Sequence, residues 1–201
     1  MSNEAHLWLV RHAPVDGPRG VIHDADAPAV TSDTASFAAL RASLPAKASA
    51  FCSPARRTVA TALALDLAPV QQRAFREQNF GAWTGRQHND LAVELGDAYR
   101  DFWRSPAGNR PPGGESFADQ VVRVAAGLAE LPAGDIIMVV HSGTIRAALA
   151  IALDITPEKA LRFVIDPLSV TRIDRLDEGW RVVAVNRRAP DISVAAQTRA
   201  D

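Results

Sequence analysis

Short apolar runs of strand length alternate along this chain with longer stretches in which apolar residues recur at helical spacing. Strands are predicted over residues 7–10, 48–51, 70–75 and 136–140, and helices over 32–44, 54–67, 84–104, 116–131, 145–153 and 157–163. This alternation predicts an α/β fold. Near the end, runs at 169–176 and 180–186 flank the turn Asp177-Glu178-Gly179 and predict a β-hairpin. Residues 187–201 show no apolar period, so we expect them to fray.

The composition narrows the class of protein. The 201 residues are 47% hydrophobic, enough for one sizeable core, and no change of composition marks a second domain, so we expect a single domain over 1–186. The 22 basic and 23 acidic residues leave a net charge of -1, which gives no indication of a nucleic-acid or membrane partner. Cys52 is the lone cysteine, and the apolar run at 7–10 is too short for a signal-peptide core or a membrane span. We therefore expect a cytoplasmic protein, and its oligomeric state stays open, a homodimer included.

Two of the predicted strands end in histidine. The run at 7–10 stops at Arg11-His12, and the run at 136–140 stops at His141-Ser142. In open α/β sheets, ligands bind beyond the carboxyl ends of the strands, so we expect both imidazoles in one crevice. Either histidine alone also fits a polar residue that local hydrogen bonds satisfy. The pair together favours a binding site.

The junction after the strand at 48–51 contains two arginines, Arg56 and Arg57. Ser53 suits a helix N-cap and Pro54 the first helical position, which places both arginines in the first turn. Cations are unfavourable there because the helix dipole is positive at that end, whereas anions bind well. We expect one arginine to face solvent and Arg57 to serve an anion site. Cys52 lacks the spacing to arginine that cysteine phosphatases require, and we interpret it as a small buried hydrophobe.

Four hydrogen-bond donors therefore lie at three strand ends: Arg11, His12, Arg57 and His141. Such a set suits the oxygens of a phosphoryl dianion, which prefers several charge-assisted hydrogen bonds. Ser142 and the backbone N–H groups after it extend the set at the start of the next helix. Phosphoryl transfer also needs a proton donor for the leaving oxygen, and Glu77 is the candidate. A glutamate that simply faces solvent is the alternative interpretation of Glu77.

Five short motifs follow one another along the chain: Leu9-Val10-Arg11-His12, Ser53-Pro54-Ala55-Arg56-Arg57, Glu77-x-x-Phe80-Gly81-x-Trp83-x-Gly85, Pro112-Gly113-Gly114-Glu115-Ser116 and Val140-His141-Ser142-Gly143-x-Ile145-Arg146. Together they resemble the motifs of the histidine phosphatase superfamily, in its phosphoglycerate mutase-like branch. The resemblance implies a three-layer α/β/α sandwich with a mostly parallel central sheet. It implies that His12 forms a phosphohistidine and that Glu77 is the acid and later the base. Arg11, Arg57 and His141 would bind the phosphoryl oxygens, and neither a cofactor nor a metal ion is implied.

Two segments depart from the family pattern. Ala13-Pro14 follows the first histidine where the family usually has glycine, and the loop Pro14-Val15-Asp16-Gly17 lacks the usual Glu-Thr and asparagine. Ser142 stands where the second histidine motif more often has glycine. We expect these differences to change affinity and substrate choice more than the chemistry.

We expect a phosphomonoester hydrolase that acts on a small phosphorylated metabolite. The segment 80–85 and the compact chain are similar to small-molecule phosphatases, and to α-ribazole phosphatases in particular, which makes α-ribazole 5'-phosphate a candidate substrate. Arg19, Arg86 and Arg110 are candidates for contact with a second acidic group of the substrate. Trp83 either stacks on an aromatic leaving group or lies in a buried rim.

Three other functions stay open at this stage. A phosphoglycerate mutase shares the core and passes the phosphoryl group to a second hydroxyl rather than to water. A non-catalytic phospho-ligand binding protein would keep the anion site if the altered loop at 13–17 had abolished the reaction. A metal hydrolase would draw its ligands from a different set: His12, His23, Asp24, Asp26 and His141.

Overall fold

The computed structural model describes residues 3–189, and at their centre lies one six-stranded sheet. The strands are β1 (Ala5–Arg11), β2 (Ser49–Cys52), β3 (Val70–Gln71), β4 (Gly134–Val140), β5 (Val170–Leu176) and β6 (Gly179–Arg187). They lie in the order β3-β2-β4-β1-β5-β6, and β1 to β4 run parallel to one another. Of the strands described, only β5 runs in the opposite direction, antiparallel to both β1 and β6. The expected mostly parallel sheet is confirmed.

Helices cover both faces of the sheet. They are α1 (Thr34–Ser43), α2 (Arg56–Ala64), α3 (His88–Leu95), α4 (Asp97–Arg104), α5 (Phe117–Ala129), α6 (Ser142–Leu153) and α7 (Pro157–Ala160), with 3₁₀ turns at Arg73–Phe75 and Gly81–Trp83. The core on one face contains residues of α1 and α2, and the core on the other contains residues of α5, α6 and α7. This arrangement confirms the predicted three-layer sandwich. None of the helices described is long and apolar enough to cross a membrane.

Successive residues of β4 point to opposite faces and are buried on both. Met138 packs in the core with Phe117 of α5 and Ile145 of α6, while Val139 packs on the other side with Phe37 of α1. A continuous apolar run is what a central parallel strand with both faces covered requires. The run at 136–140 therefore forms the middle of the sheet.

The register between β1 and β4 brings two strand ends to the same edge. Arg11 lies opposite Val140, and the N–H of His12 donates to the carbonyl oxygen of Val140 at 2.9 Å. The next residue after each strand, His12 or His141, thus leaves the sheet beside the other. This register positions the candidate site.

Several predicted elements are shorter or divided in the structure. The helix predicted over 84–104 is two helices, because Gly96 with φ of +53° ends α3 and precedes α4. The extended segment at 70–75 is a two-residue strand followed by a 3₁₀ turn, and the helix predicted over 157–163 is limited to α7. The C-terminal hairpin is confirmed, with β6 ending at Arg187. The part of the predicted tail from 190 to 201 lies outside the described residues.

A third apolar cluster lies beneath α3 and α4. Trp83 is buried there, with its ring centroid 5.3 Å from that of Tyr99 and 4.8 Å from that of Phe102. Ile22 and Leu91 complete the cluster. Of the two interpretations of Trp83, the buried rim is therefore correct, and stacking on a leaving group is wrong.

Candidate active site

The two histidines meet beyond the ends of β1 and β4. Their ring centroids lie 5.2 Å apart, and the ring planes form an angle of 67°. His12 is 5% exposed, and His141 is fully buried. The expected crevice thus contains both imidazoles.

His12 presents one ring nitrogen with a free lone pair. Its Nδ1 lies 2.7 Å from the carbonyl oxygen of Ala13, and because a carbonyl oxygen only accepts, Nδ1 carries the proton. Nε2 therefore keeps its lone pair. Burial first, and then the nearby His141 and arginines, hold the pKa of His12 well below the ordinary 6.5. A neutral imidazole with a free Nε2 is the form that a nucleophile requires.

A serine holds His141 in place. The hydroxyl of Ser53 lies 2.9 Å from Nε2 of His141 and also accepts the N–H of Ala55 at 3.3 Å. Since this hydroxyl can donate to Nε2, the proton of the neutral ring can reside on Nδ1. Nδ1 is buried and has no hydrogen-bond partner in the described part of the chain, so it is available to a ligand oxygen. Burial, and after it Arg57 and Arg11, hold the pKa of His141 well below 6.5.

The N-cap predicted at Ser53 is wrong. Helix α2 begins at Arg56, with Ala55 as its N-cap and no side-chain cap, and the Ser53 hydroxyl lies ahead of the helix, where it contacts both Ala55 and His141. Sequence reasoning missed this role. The available signal is positional: Ser53 directly follows β2, and β2 pairs with β4 in the sheet, so Ser53 and His141 follow neighbouring strands.

The two arginines of the first turn of α2 separate as expected. Arg56 is exposed, whereas Arg57 is 5% exposed and donates from Nη1 to the carbonyl oxygen of Asp24 at 2.6 Å. Arg11 donates from Nη1 to the carbonyl oxygen of Ile165 at 2.5 Å, and its buried Nε has no partner among residues 3–189. Burial is the main cause that lowers the pKa of both guanidinium groups, and the charge of Glu77 opposes it. Because main-chain carbonyls rather than carboxylates hold them, their positive charges stay available to an anion.

Glu77 lies against the N-terminus of α6. Its Oε2 accepts the N–H of Gly143 at 3.3 Å and the hydroxyl of Ser142 at 3.5 Å. Its Oε1 accepts the N–H of Gln78 at 3.1 Å and the side-chain amide of Gln120 at 3.2 Å. The carboxyl group is thus held at both oxygens. The hydroxyl of Ser142 is used by Glu77 here, and its predicted contact with phosphate stays a prediction.

A glycine leaves room for the contact between Glu77 and α6. A Cβ at position 143 would lie 2.1 Å from Oε1 of Glu77 and 2.8 Å from Oε1 of Gln120. Any larger residue than Gly143 would push these side chains away. The second histidine motif therefore contains a glycine whose partner is the predicted acid.

The motif at 112–116 fixes the loop that carries Glu77. The carboxylate of Glu115 accepts the N–H of Asn79 at 2.9 Å, and the N–H of Glu115 donates to the carbonyl oxygen of Asn79 at 2.9 Å. Gly81, with φ of +53°, packs so closely that a Cβ would lie 2.1 Å from the carbonyl oxygen of Pro112. Two of the five sequence motifs thus pack against each other to position one side chain.

A cleft of about 400 Å³ lies beside His12 and is lined in part by Arg57, Glu77 and His141. Sequence reasoning missed two further arginines of this cleft, Arg73 and Arg76, both of which are exposed. The three arginines predicted to contact a second acidic group of the substrate do not line the cleft. Arg86 pairs with Glu94, Arg110 pairs with Asp119, and Arg19 lies outside the cleft lining. Nothing local in the sequence separates Arg73 and Arg76 from other exposed arginines.

The acidic loop beside the cleft is held by its own hydrogen bonds. Oδ1 of Asp24 accepts the N–H groups of Asp26 and Ala27, each at 2.9 Å. Within residues 3–189, no three histidine, cysteine, aspartate or glutamate side chains lie close enough together to hold a metal ion. The carboxylate of Asp24 therefore stabilises a turn.

Burial of His12 and His141 predicts a pH-dependent stability. In the unfolded chain both imidazoles bind protons near 6.5, whereas in the folded chain their pKa values lie well below this. The free energy of unfolding should therefore fall as the pH drops below 6.5, by up to about 1.4 kcal/mol per pH unit for each histidine. Urea denaturation between about pH 7 and pH 5 measures this slope. The double variant His12→Asn/His141→Asn should lose most of this pH dependence. Equal slopes in the variant and the natural protein would show that the two histidines do not cause it.

Residues 7–188 match the model of the histidine phosphatase superfamily, branch 1. The chain is also similar to a 2,3-bisphosphoglycerate-dependent phosphoglycerate mutase of Methylobacterium radiotolerans, with 31% identity over 138 residues that cover 66% of this chain and 59% of the mutase. Across this and three further phosphoglycerate mutases, the chain spans about half the length of the curated relatives it matches.

Solved structures resemble the fold closely. The α-ribazole phosphatase from Shigella flexneri aligns with a TM-score of 0.78 at 22% identity, over 91% of this chain and 96% of that one. A mycobacterial glucosyl-3-phosphoglycerate phosphatase aligns with a TM-score of 0.77 at 23% identity, over 91% and 99%. At these identities the likeness concerns the fold. With a family match over nearly its whole length, the chain belongs to the histidine phosphatase superfamily, in its phosphoglycerate mutase-like branch.

Proposed function

We propose that this chain is a phosphomonoester hydrolase that works through a phosphohistidine on His12. One observation carries the proposal: a neutral imidazole with a free Nε2 lies beside two arginines, the half-buried Arg11 and the buried Arg57, that form no salt bridge within residues 3–189. Removing a cation from water without a direct ion pair is costly, and an anionic ligand compensates for that cost. A phosphoryl group supplies both the charge and an electrophilic centre for Nε2.

In the proposed first step, Nε2 of His12 attacks the phosphorus atom of the bound monoester. The N–P bond forms as the bond from phosphorus to the leaving oxygen breaks. Glu77 then gives its proton to that oxygen, so the alcohol leaves neutral. Arg11, Arg57 and His141 stabilise the charge that the other phosphoryl oxygens carry during the transfer.

In the proposed second step, water attacks the phosphorus atom of the phosphohistidine. Glu77, now a carboxylate, accepts a proton from this water, and the N–P electron pair returns to Nε2 as inorganic phosphate forms. The carbonyl oxygen of Ala13 keeps the proton on Nδ1 throughout. The ring can therefore carry the positive charge that it gains while Nε2 is phosphorylated.

The substrate that we propose is a small phosphorylated metabolite, for which a cleft of about 400 Å³ has sufficient room. α-Ribazole 5'-phosphate is one candidate, supported by the fold shared with an α-ribazole phosphatase. Phosphoglycerate mutase-type transfer is a second candidate function, favoured by the sequence identity with a mutase. We also propose a cytoplasmic location, where the lone Cys52 would stay reduced.

The charge of the cleft bears on the choice among substrates. Arg73 and Arg76 line it without a salt-bridge partner in the described part of the chain, in addition to the arginines that would bind the phosphoryl group. Two further cations favour an alcohol that itself carries negative charge. This supports a phosphorylated hydroxy acid, such as 3-phosphoglycerate, over an ester of a neutral alcohol.

Hydrolysis of p-nitrophenyl phosphate tests the proposed reaction. We expect turnover by the natural protein in the presence of a chelator and a loss of at least about 10³-fold in kcat for His12→Asn, because the variant lacks the nucleophile. With 3-phosphoglycerate as the substrate, hydrolysis gives inorganic phosphate, whereas mutase transfer gives 2-phosphoglycerate. Turnover that survives in His12→Asn would refute the mechanism, and a complete lack of turnover in the natural protein would favour the binding protein.

Two adjacent arginines offer a matched pair of variants. Arg57→Gln should lower kcat/KM for p-nitrophenyl phosphate by about 10- to 100-fold, the scale of losing one hydrogen bond to a charged group. Arg56→Gln, on the exposed side of the same helical turn, should change it by less than about twofold. Melting temperatures of both variants control for folding. Similar losses in both variants would show that Arg57 has no special relation to the phosphoryl group.

The second pair of arginines is tested with two substrates that differ in one group. 3-Phosphoglycerate has a carboxylate where glycerol 3-phosphate has a neutral hydroxymethyl group. The double variant Arg73→Gln/Arg76→Gln should lower the ratio of kcat/KM for the acid to that for the alcohol by about fivefold, the scale of two exposed charge contacts. High salt should reduce the ratio in the natural protein as well. An unchanged ratio in the variant would contradict the role of these arginines.

A further inference from the structure

Gln120 is a polar residue in the apolar core. It is fully buried on α5, between Phe117 and Val124, which belong to the core cluster. A buried amide is unfavourable unless its groups are hydrogen-bonded. Its Nε2 donates to the carbonyl oxygen of Arg76 and to Oε1 of Glu77, both at 3.2 Å, while its own Oε1 has no partner in the described part of the chain. The fold thus keeps an incompletely satisfied amide where it contacts the proposed acid.

The two oxygens of Glu77 have chemically different partners. Oε1 faces two N–H groups, from Gln78 and Gln120, and an N–H group cannot accept a proton from a carboxyl group. Oε2 has longer contacts, and one of them is the hydroxyl of Ser142, which can rotate and accept. A protonated Glu77 therefore carries its proton on Oε2.

We infer that Gln120 is a positioning residue, whose amide holds Oε1 of Glu77 and leaves Oε2 as the oxygen that gives and takes the proton. The inference rests on the role proposed above for Glu77. A leucine or valine at this point of α5 would fill the core without an unpaired oxygen. The amide instead supplies the hydrogen bond that fixes which carboxyl oxygen reacts.

The hydrogen bond has a consequence for how the rate depends on the leaving group. If Gln120 fixes which carboxyl oxygen gives the proton, its loss slows proton transfer to the leaving oxygen. An alkoxide needs that proton more than a nitrophenolate does, so kcat should fall further for an alkyl ester than for a nitrophenyl ester. A purely structural role of Gln120 in the core would lower kcat equally for both.

The experiment compares Gln120→Met, which has similar length and no amide, with Gln120→Glu, which has the same shape and lacks the amide N–H. In both variants, kcat should fall about tenfold with glycerol 3-phosphate and less with p-nitrophenyl phosphate, whose leaving group needs less help from a proton. Gln71→Met, at the exposed strand β3, should leave the ratio of the two kcat values unchanged.

An equal loss of kcat on both substrates would overturn this inference. Urea denaturation of each variant measures folding, and if the methionine variant does not fold, the glutamate variant decides alone, an equal loss on both substrates again refuting the role. The outcome is separate from that of the proposed function. Turnover that depends on His12 but not on the amide of Gln120 refutes only the positioning role, whereas turnover without His12 refutes the mechanism itself.

Discussion

The parallel pairing of β1 with β4 is the interaction on which the site depends. Arg11 lies opposite Val140, and the N–H of His12 reaches the carbonyl oxygen of Val140, so both histidines leave the sheet at one edge. A slip of one residue would turn every side chain of β1 to the opposite face and take Leu9 out of the core that it shares with Phe117 and Ile145. Burial of apolar side chains on both faces therefore enforces the register that brings the imidazoles together.

The same burial sets the charge state of the site. Burial and neighbouring cations keep the pKa values of both histidines low, so the rings stay neutral. The guanidinium groups of Arg11 and Arg57 donate to main-chain carbonyl oxygens. Carboxylate partners would neutralise those cations and weaken their attraction for a phosphoryl group. The proposed acid, Glu77, is held at the N-terminus of α6, where a glycine leaves room for it.

The sequence predicts the features that have local or periodic signals. Alternating apolar runs indicate the three-layer sandwich, and strand ends indicate where His12 and His141 meet. Features that depend on which elements become neighbours are harder to predict. Ser53 has the residue type and spacing of an N-cap, and only the pairing of β2 with β4 turns its hydroxyl to His141. Gln120 resembles any polar residue of a helix until Glu77, distant along the chain, packs against it.

The central claim of this account is that the phosphoryl group is transiently bonded to Nε2 of His12. Protein quenched in denaturing alkali during turnover of a radiolabelled phosphomonoester, followed by peptide mapping, tests it most directly. The account predicts label that is stable in base, is lost in acid and resides on the peptide containing His12. Steady turnover with no label on the protein, or with label on another residue, would contradict it.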